Sequence, residues 1–300
     1  MIALAGPVAG TAHMLSQPFM ARAYLAGSLI ALCCGLVGYF VVIRAQVFAG
    51  DALSHVAFTG AMAALVAGVD LRAGLFGACV GFGVALALLG GKGRPDDVVI
   101  GSTFVWLLGL GTLFLTVYTT DQGGDATAGV SVLFGSVFGL SAGGARTAAV
   151  VGAGVAAALL AIARPLLFAS IDEASATARG VPVKTLGVVF LAIVGATAGE
   201  ATQAVGALLL LGLVSAPAAA ARLCTARPWL ALALSGAFAV GSVWVGLAVA
   251  YAVPALPPSS AIVGVAAGCY LVARAGSVRP TRWLRPTRRL NSQSVGLRRH

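Results

Sequence analysis

A carboxylate and an imidazole stand four residues apart in an otherwise apolar stretch. Residues 48–58 read FAGDALSHVAF, with Asp51 and His55 between two hydrophobic runs. On a helix, positions i and i+4 share a face, with Cβ atoms about 6 Å apart. An ionised group at membrane depth costs at least about 2.5 kcal/mol unless it meets a partner or a water-filled path. Three chemistries would stabilise the pair. The side chains can hydrogen-bond each other or a neighbouring helix, relay a proton, or bind a cation. Imidazole with carboxylate is a ligand set for divalent first-row metals such as manganese, iron and zinc. Two protein ligands are too few for a closed structural site. They suit a transit station, where an ion must be admitted and then released.

Other polar residues within apolar runs are few. Glu200 and Gln203 fall near the outer junction of two expected spans. Glu200 can serve as a ligand on the side from which an ion arrives, although a boundary glutamate is more often simply solvated. Ser54, Thr59 and Ser215 are expected to back-bond to helix carbonyls. Pro217, in LLLLGLVSAPAAAARL, removes a helix hydrogen bond and should kink its span. His13 and His300 lie outside the core. Cys33, Cys34, Cys79, Cys224 and Cys269 match neither a metal knuckle nor a disulfide framework. They read as small buried hydrophobes.

The elements that must hold these residues follow from composition. Of 300 residues, 59% are hydrophobic and only 9% charged, and the mean hydropathy is +0.99. A soluble domain carries about 25% charged residues, so this chain cannot cover a water-facing surface. The expectation is an all-α integral membrane protein of the cell membrane, a polytopic bundle of eight or nine transmembrane helices. Apolar runs place candidate spans at about 24–43, 52–69, 73–90, 98–118, 147–163, 184–199, 204–221, 229–251 and 259–273. Residues 126–142 read as a short interfacial or re-entrant piece. Glycine pairs at GxxxG spacing, Gly77/Gly81, Gly139/Gly143, Gly195/Gly199 and Gly264/Gly268, suggest close packing and little more.

Charge orients the chain. With the C-terminus inside, alternation puts 16 of the 19 Lys and Arg on the inner side, leaving Arg22, Arg72 and Arg146 outside. Nine spans then imply an outside N-terminus, and eight would put both termini inside. The first residues, 1–18, form an N-terminal segment without the basic start of a cleaved signal peptide. Residues 19–274 form the membrane domain. Residues 275–300 are a basic tail that reads as disordered and cytoplasmic, near anionic lipid. It lacks a folded nucleic-acid module, so no nucleic-acid partner is expected.

One polar excursion interrupts the interior, RPLLFASIDEASATARGVPVK at 164–184. Ser170 and Glu173 have the spacing of a capping box. Asp172 and Glu173 suit a helix N-terminus, Gly180 a left-handed stop, and Pro182 prevents continuation. A helix over about 171–179 is expected on the cytoplasmic face. It is either a solvated connection or a docking element for a soluble partner. The chain itself has no phosphate loop: Gly91-Lys92-Gly93 lacks the upstream glycine, where Leu86 stands, and any Ser or Thr after the lysine. An ATP-driven process would need a separate ATPase chain, and this chain is not expected to be an enzyme.

The segment FMARAYLAGSLIALCCGLVGYFVVIRAQVFAGDALSHVAFTGAMAALVAG resembles the N-terminal portion of the ABC-3 permeases, the membrane subunits of bacterial zinc and manganese ABC importers. Their FxGDxLxH core is matched by Phe48, Gly50, Asp51, Leu53 and His55. RPDDVVIGSTF at 94–104, LFGSVFGLS at 133–141, LFASIDEASATARGVPV at 167–183 and QAVGALLLLGLVSAPAAAARL at 203–223 follow in the family's order. The resemblance runs from about Phe19 to Arg274.

It implies a homodimer around a translocation path, two cytosolic ATP-binding-cassette ATPases and an extracytoplasmic metal-binding protein. It implies that Asp51 and His55 form the metal station, with zinc or manganese as cargo and iron a further candidate. It implies that Ser170, Asp172, Glu173, Arg179 and Gly180 belong to a coupling helix engaging the ATPase. Three positions depart from the pattern: Ser136, Glu200, and Arg44 followed by Ala45 in place of an arginine pair. The first two bear on the choice of metal and on whether the substrate is a metal. The rival expectations are a proton-coupled secondary transporter, an ABC permease of this fold with another substrate, and a non-transporting anchor or assembly factor.

Overall fold

The computed structural model describes residues 18–90, 95–120, 125, 127–135, 142–253 and 255–277. The chain is helical throughout these, as lipid demands: without water to bond them, backbone groups must be paired within the segment. In order the helices are α1 (Pro18–Ile43), α2 (Val47–Val66), α3 (Leu71–Leu89), α4 (Asp97–Thr120), α5 (Thr127–Phe134), α6 (Ala142–Ile171), α7 (Glu173–Ala178), α8 (Val183–Val205), α9 (Leu210–Cys224), α10 (Pro228–Ala252) and α11 (Pro258–Ser277). Their starts carry local signals. Asp70 caps α3 by accepting from the N–H groups of Arg72 and Ala73, at 2.9 and 3.1 Å. Pro228 opens α10, where its missing N–H costs nothing.

Among the described residues, eight helices are long and apolar enough to cross a membrane. The seventh expected span, 204–221, is not one helix. Ala204 and Val205 complete α8, the chain breaks at Gly206 with φ +92°, and α9 resumes at Leu210 with only 15 residues. The break is tertiary in origin. The N–H groups of Ala207 and Leu208 donate to the carbonyls of Val132 and Leu133 (both 3.2 Å), where α5 ends. A Cβ at Gly206 would collide with the backbone of Leu133 and Phe134. The expected short piece within 126–142 is thus α5, fastened to the α8–α9 turn.

A second boundary also moves. The span expected to stop at 163 runs on to Ile171, passing Pro165. Leu166, Leu167 and Ala169 bury themselves against the bundle, so packing carries the helix past its apolar run. The polar excursion shrinks to the region around α7. α9 likewise continues through Pro217.

The main core gathers α1, α2, α8 and the inner end of α6 around Phe40, Leu53, Leu166, Phe190 and Leu191. A second cluster joins the outer half of α2 to α3, α5 and the α8–α9 turn through Val56, Phe58, Met62, Leu75, Val132 and Ala207. Of the GxxxG pairs, Gly77, Gly81, Gly264 and Gly268 face open space, while Gly195 lies against the backbone of Cys79. Gly139 lies outside the described residues. Other close approaches use single glycines: a Cβ at Gly83 would stand 2.5 Å from the Leu191 carbonyl oxygen. Cys33, Cys34 and Cys79 are buried thiols as expected, but Cys224 is exposed and Cys269 half-buried.

Candidate functional site

Asp51 and His55 stand on the second and third turns of α2, both half-buried. The opposite face anchors the helix, with Ala49, Ala52 and Leu53 fully buried. Gly50 leaves a crevice beside Asp51, lined also by Val37, Val194, Thr197, Ala198, Leu210 and Val214. Ser54 donates to the Asp51 carbonyl at 2.6 Å. Thr59 donates to the Leu107 carbonyl at 2.9 Å as well as back to His55, at 3.4 Å, pinning α2 to α4. The expected back-bonding holds for Ser54, Thr59 and Ser215.

The His55 ring meets Phe104 of α4 edge-to-face, with centroids 5.0 Å apart. Its Nδ1 is buried and has no hydrogen-bond partner. Asp51 therefore does not satisfy that nitrogen, which weakens the view of the two as a self-contained structural pair. Among the described residues, no three His, Cys, Asp or Glu side chains gather where one ion could touch them all.

Glu200 is placed differently from the solvated boundary glutamate the sequence suggested. It is 5% exposed. Its Oε2 has no hydrogen-bond partner, and neither has Nε2 of Gln203. Glu200 borders a second crevice with Ile30, Cys33, Val151, Gly152, Val155 and Thr197. Thr197 lines both crevices, so α8 borders the crevice at Gly50 as well as the one at Glu200. The structure does not bring Glu200 into one ligand cluster with Asp51 and His55.

Between α6 and α8, α7 forms as a single capped turn, but Ser170 is not its cap. Ser170 belongs to the last turn of α6, where its hydroxyl donates to the Leu166 carbonyl at 2.5 Å. Asp172 caps α7 instead, accepting from the N–H of Ser175 at 3.0 Å and from its hydroxyl. The Ser175 hydroxyl and N–H hold the Asp172 carboxyl below its ordinary range. Glu173 occupies the first turn, and Gly180, at φ +79°, ends the element as expected. The Arg179 guanidinium lies over the Phe168 ring, 5.5 Å from its centroid.

Sequence reasoning missed the junction beside α7. It read Arg44 as an inner-side charge and as the remnant of an arginine pair, and gave it no structural contacts. Arg44 is 3% exposed and touches Gln46, Ser170 and Phe190. The available signal was a lone arginine between two apolar runs. Ser136 and the tail beyond residue 277 lie outside the described residues.

The ABC 3 transport family model matches residues 16–277. This chain belongs to the ABC 3 transport family. It is 28% identical over 239 residues to the manganese transport system membrane protein MntC of Halalkalibacterium halodurans, covering 78% of this chain and 80% of that one. It is 26% identical to the chelated iron transport system membrane protein YfeD of Yersinia pestis, over 67% of each chain. Among solved structures, PsaBC from Streptococcus pneumoniae in complex with Fab superposes with a TM-score of 0.77. It is 26% identical, with 89% of this chain and 95% of that one covered. The family, the eight long apolar helices and these relatives make the chain a multi-pass permease of the cell membrane.

Proposed function

We propose that this chain is the permease subunit of an ATP-driven importer of divalent transition metal ions, with manganese the first candidate and iron and zinc next. The observation that carries the metal station is His55: a half-buried imidazole whose Nδ1 has no partner, one helical turn from a half-buried carboxylate. The related permeases named for manganese and chelated iron support the cargo class. A borderline N/O ligand pair suits manganese and iron as well as zinc. A second copy of the chain, facing the first across the path, supplies the ligands that one chain lacks. An extracytoplasmic binding protein delivers the ion. Glu200 and Gln203 are polar groups it meets from the outer side.

ATP is hydrolysed on a separate cassette ATPase. Asp172, Glu173, Arg179 and Gly180 form the surface this partner grips, with Ser170 immediately behind them.

The test is cellular manganese, iron and zinc content under metal limitation in a strain lacking the gene and its other importers. Complementation uses wild type, Asp51→Ala or His55→Ala. One metal should fall, and only wild type should restore it. Restoration by both variants would remove the metal role of the pair; no change in any metal would remove the metal function. Glu173→Lys should release the ATPase in a pull-down, and undiminished co-purification would count against α7 as the docking element. A proton-coupled carrier would instead import without any ATPase and would stop when the proton gradient is collapsed.

A further inference from the structure

Arg44 sits in the short link 44–46 between α1 and α2, and it is 3% exposed. Its Nε donates to Oε1 of Gln46 at 3.2 Å. One terminal nitrogen donates to the Ser170 hydroxyl at 3.4 Å. Its guanidinium lies over the Phe190 ring of α8, 5.5 Å from the centroid. Phe190 in turn meets Phe40 of α1 edge-on at 6.3 Å. One side chain thus joins α1, α6, α8 and the start of α2.

The link it occupies is strained. Ala45 has φ +54°, the one non-glycine residue with positive φ among those described. An L-residue in that region costs about 1–2 kcal/mol and persists only where the surroundings over-determine it. The surroundings do so here. The Gln46 N–H donates to the Val41 carbonyl at 2.9 Å, and the Gly50 N–H to the Gln46 carbonyl at 3.1 Å. The link and the first turn of α2 therefore move as one piece. Asp51 and His55 follow directly on that helix.

On its other side Arg44 reaches α7. Ser170 lies two residues before Asp172, the N-cap of α7. Arg179, at the far end of α7, stacks on Phe168, two residues before Ser170. Ala176 is fully buried against the same core. A push on α7 must then displace the last turn of α6, and with it the oxygen that Arg44 holds.

Resting on the importer function proposed above, we infer that Arg44 is the joint that converts displacement of α7 into movement of the α2 turns bearing Asp51 and His55. It is a positioning residue and touches no ion. The role calls for arginine. A planar fork can donate along two directions while its face stacks on a ring, and a lysine ammonium, a compact point charge without a planar face, cannot reproduce that geometry.

The experiment uses the full permease with its ATPase and binding protein in proteoliposomes. Uptake of manganese, and in the wild-type arm of iron and zinc as well, is measured together with phosphate release, for wild type, Arg44→Lys, Ser170→Ala and the double variant. Arg44→Lys should keep its ATPase and hydrolyse ATP within about twofold of wild type. Manganese imported per ATP should fall about tenfold, within the range of mutations along a coupling path. Ser170→Ala should lower the ratio less, and adding it to Arg44→Lys should change little, as expected of residues acting as one unit.

An unchanged ratio in both single variants overturns the joint. If Arg44→Lys fails to assemble, Ser170→Ala decides alone: a lowered ratio supports the joint and an unchanged one overturns it. Wild type that hydrolyses ATP but imports no metal overturns the importer function, and the joint with it. That outcome is read in the wild-type arm before any variant is compared.

Discussion

Where α1 turns into α2, a buried cation is surrounded. Arg44 donates to Gln46 and Ser170 and stacks on Phe190. Where α8 turns into α9, a carboxylate is buried almost as deeply, yet Glu200 Oε2 and the neighbouring Gln203 Nε2 meet no hydrogen-bond partner. Burying polar groups without partners is costly, and an ionisable residue at membrane depth marks function more often than structure. The inner end uses its charge to hold four elements in register. At the outer end Glu200 Oε2 and Gln203 Nε2 meet no hydrogen-bond partner, as is also true of His55 Nδ1 and of Gln46 Nε2 beside Arg44; the difference lies in the contacts that the charge itself makes. A transporter needs both kinds of group: one that transmits position and one whose occupancy changes.

The largest test of this contrast strikes the outer backbone. Gly206→Val should cost more than about 3 kcal/mol, because it adds φ strain to a clash with Leu133 and Phe134. Purified yield and thermal denaturation of the permease would register it. Wild-type stability would mean that α5 is not fastened to this turn.

Arg44→Ala comes next, at about 2–3 kcal/mol, from lost stacking and from acceptors on Gln46 and Ser170 left without a donor. The readout is again thermal denaturation. Glu200→Gln should behave oppositely, holding stability or gaining up to about 1 kcal/mol, since it removes a charge that has no partner at one oxygen. A loss comparable to that of Arg44→Ala would erase the difference between the two ends.

The smallest effect belongs to Asp172. Its carboxyl is held below the ordinary range by Ser175, so its folded value lies under the unfolded one, near 3.9. The cap is therefore fully present above the unfolded value and is lost as pH falls through the lower, folded one. ATPase co-purification should stay level from about pH 8 down to about pH 5. It should weaken modestly in Asp172→Ala at every pH across that range. A steep decline between pH 7 and 5 would show that another group controls docking.

Some of this was legible in the chain and some was not. Asp51 and His55 share a face of α2 because spacing four on a helix is a local rule, and α7 ends at Gly180 for a local reason too. The start of α7 was misread by two residues. Ser170 and Glu173 have capping-box spacing, but the hydroxyl of Ser170 already donates to Leu166 inside a helix that burial had extended. The seventh span was misread because hydropathy sees LLLL following Gly206 and not the Leu133 carbonyl waiting beside it. The glycines that matter, Gly83 and Gly206 among them, are marked by what lies opposite, and two of the GxxxG pairs, Gly77/Gly81 and Gly264/Gly268, face nothing.

Composition and short-range spacing were enough to make this an all-α membrane protein with a carboxylate and an imidazole on one helical face. Hydrophobic transfer and helix geometry act residue by residue and turn by turn. Which buried charges find partners was decided only in the folded bundle. Arg44 and Ser170 are 126 residues apart in the chain, and the crevice at Glu200 has walls that α1 and α6 supply. No local rule reaches that far, because the stabilisation of a buried charge depends on every atom that replaces its water.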